Sequence, residues 1–390
     1  VKLFYSRRVD EEFFYFHIPF CKALCDYCNF YKIPQTRGLD LKFYYERLLT
    51  YFKIVFEKEM IGKEYNKLNL YFGGGTPSDS FYFLEFLEQL LNFLEGWEVS
   101  IGELNLEISE STSLTWIKEL IRLVVHKLNK LRISVGVQSF SSSVRRFIGR
   151  KRETNFELLE FLRQADLERV AINLDLIYVP YYAKFFLEDV EQIFYYFPDS
   201  VSVYWLEEKL DTVFFKKAKV SGFYAKRDML ENEDVFDIFF TGMKRLREKY
   251  AWYELSNLAR SVKGVSLFNL NYWIGNKWIA FGAAASGFRL LEGKKSNLRA
   301  LTFKSGNLDE FIKGIVKIDY LVKEEIVWWF LTNRLRLALW DKEDWKNALT
   351  QLEIKAQPLF YKLLKEFYTS FENRLLINSF ATKLMENLKF

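Results

Sequence analysis

Hydrophobic and polar positions along the chain alternate between two rhythms. Short runs at Phe13–Phe16, Asn69–Phe72, Glu103–Ile108, Arg132–Val137, Val170–Leu176 and Val201–Tyr204 carry the pattern of strands. Between them, apolar residues recur at three and four spacing, as in LKFYYERLLTYFKIVF and FLEFLEQLLNFLE, which is the repeat of one helix face. Strand and helix in alternation predict a parallel sheet with right-handed crossovers. The chain lacks a dinucleotide-binding glycine fingerprint, so the expected α/β fold is a barrel or an open partial barrel.

Parallel strands covered on both faces usually read as continuous apolar runs. Three of these strands do not. Leu104, Leu106 and Ile108 alternate with Glu103, Asn105 and Glu107. Ile133, Val135 and Val137 alternate with Arg132, Ser134, Gly136 and Gln138, while Ile172, Leu174 and Leu176 are set against Asn173 and Asp175. Helices must cover the apolar face, so the polar face lines the interior. Glu107, Gln138 and Asp175 then sit near successive strand ends, where barrels gather function. A buried structural network is the competing reading of the same pattern.

The second strand runs into GGGTPS, Gly73 to Ser78, whose glycines let backbone approach a ligand and aim amides at it. No lysine follows, so this is not a P-loop. From Gly282 the texture changes to small residues in FGAAASGF, and no glycine follows Gly314. The remainder reads as mostly helical, with apolar stripes in WWFLTNRLRLALW and FYKLLKEFYTSF. A small helical C-terminal domain is expected there.

Composition narrows the function classes. Of 390 residues half are hydrophobic, enough for a sizeable core and against general disorder. Fifty-six basic against fifty-one acidic residues leave +5, which gives no support for a nucleic-acid or membrane-surface partner. No apolar run reaches the roughly 20 residues of a transmembrane segment. The N-terminal residues lack a secretory signal pattern, so a cytoplasmic location is expected. The 39 Phe, 23 Tyr and 10 Trp fit core packing better than a flat ligand.

The only three cysteines, Cys21, Cys25 and Cys28, lie together in HIPFCKALCDYCNF. An odd, tight set in such a chain is metal chemistry rather than a disulfide framework. Structural zinc needs four ligands, for which His17 is the nearby candidate. A [4Fe-4S] cluster on three thiolates instead leaves one iron open to a small molecule. The spacing lets one short loop wrap three corners of a cube, with Tyr27 placed to shield it.

The cysteine loop, GGGTPS, LNLEIS, RISVGVQSF and INLDLIYVP resemble, in order and spacing, the radical S-adenosylmethionine proteins. The likeness runs from about residue 13 to 290 and is nearest to oxygen-independent coproporphyrinogen III oxidases and their heme chaperone relatives. It implies a partial parallel (β/α) barrel over 1–210, a family-specific extension over 211–300, and a helical, winged-helix-like domain over 301–390. It further implies a [4Fe-4S] cluster on Cys21, Cys25 and Cys28 with S-adenosyl-L-methionine chelated at the open iron. Tyr15 would contact the nucleoside, and Gly74, Gly75 and Thr76 the methionine part. Glu107, Gln138, Arg150 and Asp175 would complete the pocket; only the resemblance singles out Arg150, in FIGRKR. The implied chemistry is one-electron reduction of the sulfonium to methionine and a 5′-deoxyadenosyl radical.

The implied partners are a heme or porphyrin ligand, a recipient hemoprotein and a reductant such as flavodoxin or ferredoxin. The oxidases resemble CxxxCxxCxC, whereas Asn29 and Phe30 follow Cys28 here, and only twenty residues precede Cys21. Both points favour the chaperone branch, as do YELSNLARS and FNLNYW. The family writes the latter HNLNYW, and Phe268 cannot ligate iron as a histidine would. His126, the other histidine, falls in a predicted helix remote from these motifs. The rival readings are oxidation of coproporphyrinogen III to protoporphyrinogen IX and a zinc-stabilised binding protein.

Overall fold

The computed structural model describes residues 11–35, 40–60, 67–164, 168–206, 211–220, 233–291 and 299–322, with single positions 325, 326, 329, 333 and 336. The chain enters through β1 (Glu11–Ile18), then pairs β2 (Phe20–Cys21) with β3 (Ile33–Pro34) across the neck of the cysteine loop. Helix α1 (Leu41–Met60) precedes β4 (Lys67–Gly74), and α2 (Phe83–Glu95) precedes β5 (Ser100–Ser109). Next come α3 (Leu114–Val124) and β6 (Leu128–Gln138), then α4 (Ser142–Phe147), α5 (Phe156–Gln164) and β7 (Val170–Tyr178). Helix α6 (Lys184–Tyr196) precedes β8 (Ser200–Trp205).

Strands β1, β4, β5, β6, β7 and β8 stand side by side in chain order, every pair parallel. All six sequence-predicted strands lie within them. Local signals agree with the outcome: Ser113 caps α3 by accepting the Trp116 amide, and α2 turns Phe83, Phe86, Leu87, Leu90, Leu91 and Leu94 into the core.

The edges of this sheet come from farther along the chain. After α7 (Val213–Val220) and α8 (Glu233–Leu246), β9 (Ala251–Glu254) and β10 (Asn257–Ala259) form an antiparallel pair, with β10 laid antiparallel on β8. Helix α9 (Leu267–Ile274) leads to β11 (Ile279–Phe281), which pairs parallel with β1 at the other edge. The resulting nine-stranded order, from β11 to β9, is an open α/β sheet and not a closed barrel. Its polar face lines the interior, the lumen of the sheet.

A second, antiparallel sheet joins β12 (Ser286–Leu291), β13 (Arg299–Ser305) and β14 (Val316–Leu321), with α10 (Leu308–Ile312) between the last two. Val316–Leu321 is therefore a strand where helix was expected after Gly314; its VKIDYL alternation pairs with β13 instead. The helical stretches expected at 328–340 and 360–371 lie almost wholly outside the described residues. No helix among the described residues is long and apolar enough to cross a membrane.

Much of the phenylalanine surplus is core. Phe16 stacks on Phe72 at 4.7 Å and on Phe281 at 5.1 Å between ring centres, tying β1 to both neighbours. Such contacts each add about 0.5–1.5 kcal/mol beyond area burial.

Candidate functional site

The cysteine loop lies at the C-terminal ends of the parallel strands. Cys21 and Cys25 are buried, Cys28 is half-buried, and all three are free thiols. The loop is tied down on several sides. Gly75 donates its amide to Ile18 O at 2.6 Å, and Thr76 to Phe20 O at 2.9 Å. Lys22 donates its amide to Asp79 Oδ2 at 2.7 Å, and Asp79 also accepts both arms of Arg152. From α7, the Phe214 amide reaches Asp26 O at 2.9 Å, and Lys217 pairs with the Asp26 carboxylate at 2.6 Å.

The glycines of GGGTPS serve this close approach. Gly74 has φ +110°, and a Cβ there would fall 2.4 Å from the His17 ring; one on Gly75 would fall 2.6 Å from Ile18 O. The amides expected to aim at a ligand are thus spent on the protein: Gly74 on Glu107 at 3.3 Å, Gly75 and Thr76 on the cysteine loop. The Thr76 hydroxyl stands 3.7 Å from Cys21 Sγ.

Below the loop, Glu107 accepts the Tyr71 hydroxyl at 2.6 Å. Burial pushes its carboxyl up to about 7, with the nearby Asp175 adding to the rise. Asp175 accepts from Ser134 Oγ at 2.8 Å and Asn173 Nδ2 at 2.7 Å, and burial raises its pKa also. Among the described residues neither carboxyl has a cationic partner within ion-pair distance. Gln138 closes β6 in the left-handed region at φ +69°, where the register with β7 slips. Such backbone strain concentrates at functional sites. Asp189 on α6 holds that turn, accepting Ser139 Oγ at 2.8 Å and the Phe140 amide at 2.7 Å.

Arg150 donates from Nε to Glu110 Oε1 at 2.9 Å, from Nη2 to Gly136 O at 2.6 Å, and from Nη1 to Cys25 Sγ at 3.2 Å. A Cβ built on Gly136 would lie 2.9 Å from the Gln138 amide nitrogen and 3.4 Å from Arg150 Nη2, so those two side chains share one spot. Tyr15 donates its hydroxyl to His17 Nδ1 at 2.9 Å. The Tyr31 carbonyl can only accept, so His17 Nε2, 2.8 Å away, carries the proton. Both ring nitrogens are engaged, which leaves His17 unsuited to be a fourth zinc ligand. The sequence-predicted site residues are therefore gathered in one neighbourhood. Asp79, Glu110, Arg152 and Asp189 were missed; each reads in sequence as an ordinary surface charge.

Deeper in the lumen the polar residues are closed on one another. Glu103 pairs with Lys130 at 2.6 Å and accepts the Leu267 amide at 2.8 Å, while Arg132 donates to Ser200 Oγ at 3.2 Å. Phe268, one residue into α9, is buried against Tyr71, Phe13 and Tyr15, with ring centres at 5.1, 6.0 and 6.2 Å. His126 is exposed in the turn after α3, not in a helix, and precedes the N-terminal end of β6.

The family model of the Radical SAM superfamily matches residues 15–182, the stretch that carries the cysteine loop and every pocket residue above. Residues 15–182 match a radical S-adenosylmethionine domain. Its relatives include the heme chaperone HemW of Lactococcus lactis, 29% identical over 282 residues, covering 70% of this chain and 69% of that one. HemW of Buchnera aphidicola from Acyrthosiphon pisum is 26% identical over 330 residues, covering 83% and 82%. Among solved structures, coproporphyrinogen III oxidase (HemN) from Escherichia coli superposes with a TM-score of 0.69 at 19% identity, covering 97% of this chain and 91% of that one. That likeness shows a shared fold. A radical S-adenosylmethionine domain uses a [4Fe-4S] cluster and S-adenosylmethionine, and the donor set fits: three free thiols on one loop, with His17 already engaged through both ring nitrogens. Among the described residues no preformed cage of His, Cys, Asp and Glu exists. Burial pushes Cys21 up to about 11, so iron must displace its proton on binding.

Proposed function

We propose that the chain is a radical S-adenosylmethionine protein of the heme chaperone type. Cys21, Cys25 and Cys28 hold the cluster, and the upper lumen at Glu107, Gln138 and Asp175 binds S-adenosylmethionine. The observation that carries this reading is a three-thiol loop fastened beside two buried carboxyls that, among the described residues, have no cation at ion-pair distance. When bound, the cluster supplies an electron to the sulfonium. The protein's own residues bind and orient: Glu107 and Asp175 offer acceptors to ribose and ammonium groups, and Arg150 holds the Gln138 turn against Cys25. The work would take place in the cytoplasm with a reductant such as flavodoxin or ferredoxin.

The heme part of the proposal rests on the HemW relatives and on YELSNLARS and FNLNYW. Histidine ligation does not fit this chain. Phe268 fills the familiar position, both His17 nitrogens are engaged, and His126 lies away from the strand ends. Any heme bound here therefore uses another ligand or packing alone. The absence of a cysteine two residues beyond Cys28 counts against the oxidase reading. Heme titration, followed by transfer to an apo-hemoprotein, tests the proposal. Saturable binding and transfer are expected. Conversion of coproporphyrinogen III to protoporphyrinogen IX, without heme binding, would replace it with the oxidase.

A further inference from the structure

Two arginines two residues apart reach the cysteine loop and do different things there. The segment from Gly149 to Arg152 presses close: Gly149 has φ +72°, and a Cβ on it would fall 2.3 Å from the Asp26 carboxyl carbon. Arg152 spends its fork on Asp79, with Nη1 at 2.8 Å from Oδ1, and reaches Ala23 O at 3.4 Å. Since Asp79 also accepts the Lys22 amide, every hydrogen bond of Arg152 goes to loop backbone or to the carboxylate that holds it, and its charge reaches Cys21 only through space. Arg150 instead touches a sulfur. Its Nη1 lies 3.2 Å from Cys25 Sγ, and the rest of the guanidinium is fixed by Glu110, itself fully buried, and by Gly136 O. The fork cannot turn away without leaving the Glu110 carboxylate unpaired.

We propose that Arg150 sets the electron affinity of the metal centre by donating a hydrogen bond to Cys25, whereas Arg152 chiefly builds the loop. The inference rests on the cluster reading of the three cysteines. Reduction adds negative charge to the centre and its sulfur ligands, and a donor locked against one of those sulfurs favours the reduced form. A charge-assisted hydrogen bond is among the stronger a side chain makes. If the part of it that differs between oxidation states shifts the reduction equilibrium about tenfold, the midpoint moves ~59 mV for one electron.

The test is an anaerobic redox titration, monitored by electron paramagnetic resonance, of cluster-loaded protein without S-adenosylmethionine. That omission separates Arg150's effect on sulfur from any contact with the cofactor. Arg150→Gln should keep its iron and move the midpoint about 59 mV more negative. Arg152→Gln should lose iron loading, while the cluster that remains shifts by much less than in Arg150→Gln, since its charge acts on Cys21 only through space. Arg150→Gln strands Glu110, so Arg150→Gln with Glu110→Gln serves as the second variant and should show the same negative shift. An unchanged midpoint in both Arg150 variants, or an equal shift in Arg152→Gln, overturns the division of labour. A wild-type chain that takes up no cluster fails earlier, and overturns the cluster reading beneath it.

Discussion

Two layers of the same lumen use the same residue types to opposite ends. In the lower layer Glu103 meets Lys130 at 2.6 Å, and its other oxygen accepts the first amide of α9. Arg132 is closed onto Ser200 at 3.2 Å. One turn of the pleat higher, Glu107 and Asp175 accept hydrogen bonds from a phenol, hydroxyls and amides, and the Arg132 charge reaches them only from beyond ion-pair distance. A buried charge that is paired and capped is part of the fold. Neighbouring buried carboxyls with raised pKa values and, among the described residues, no cation at ion-pair distance are poised for a ligand that brings donors. Partner count, not residue type, separates structure from site.

The sharpest way to break this contrast is to remove one partner in the lower layer. Lys130→Met strands Glu103, and breaking a buried pair typically costs about 3–5 kcal/mol. A large fall in the urea midpoint is expected, with S-adenosylmethionine affinity of the folded fraction unchanged. In the upper layer the pattern should reverse. Glu107→Ala and Asp175→Ala should weaken S-adenosylmethionine binding by about tenfold to a hundredfold, the effect of losing ~1.5–3 kcal/mol. Their melting temperatures should stay near wild type. Calorimetry showing unchanged affinity in both would mean that the layers do not differ.

Acidity offers a gentler probe. Glu107 and Asp189 are each pushed up to about 7 by burial, above the ordinary carboxyl range. The metal-free native state then keeps protons that the unfolded chain has already released. Stability is fullest below the unfolded pKa values and falls as pH rises towards 7, levelling beyond it. Asp189→Asn should flatten part of that slope in urea titrations at about pH 5 and about pH 7. An identical slope in the variant would remove Asp189 as a contributor.

The smallest effect is expected at Phe268. Its ring is buried against Tyr71, whose hydroxyl holds Glu107, so it borders both layers without charge. Phe268→His should bind heme more tightly than wild type and shift the ferric spectrum towards histidine ligation, for a loss of about 1–2 kcal/mol in stability. Equal affinity and identical spectra would detach this position from heme.

The strand rhythm made the six central strands and their polar face legible, because a period of two survives without tertiary context. The same rhythm could not sort Glu103 from Glu107. Both occupy equivalent faces of β5, and only the packing of Lys130 and α9 tells them apart. The fasteners of the cysteine loop were hidden for a related reason: Asp79 ends a three-residue 3₁₀ turn, and Glu110 and Arg152 sit in loops, with no periodicity to betray burial. The edge strands β9 and β10 are too short to show alternation, so YELSNLARS was visible as a motif but not as a hairpin. Arg150 emerged through resemblance alone, and its contact with Cys25 lies 125 positions away in the chain.

The central claim is that the three-thiol loop and the upper lumen form one site. Its most direct test is electron paramagnetic resonance of the reduced, anaerobically reconstituted protein before and after adding S-adenosylmethionine. With about four iron atoms bound per chain, the signal should change shape on addition, since the cofactor reaches the open iron. That change should need roughly tenfold to a hundredfold more cofactor in Asp175→Ala and should vanish, with the cluster itself, when Cys21, Cys25 or Cys28 becomes Ala. A loaded cluster whose signal is indifferent to S-adenosylmethionine at any concentration would contradict the account.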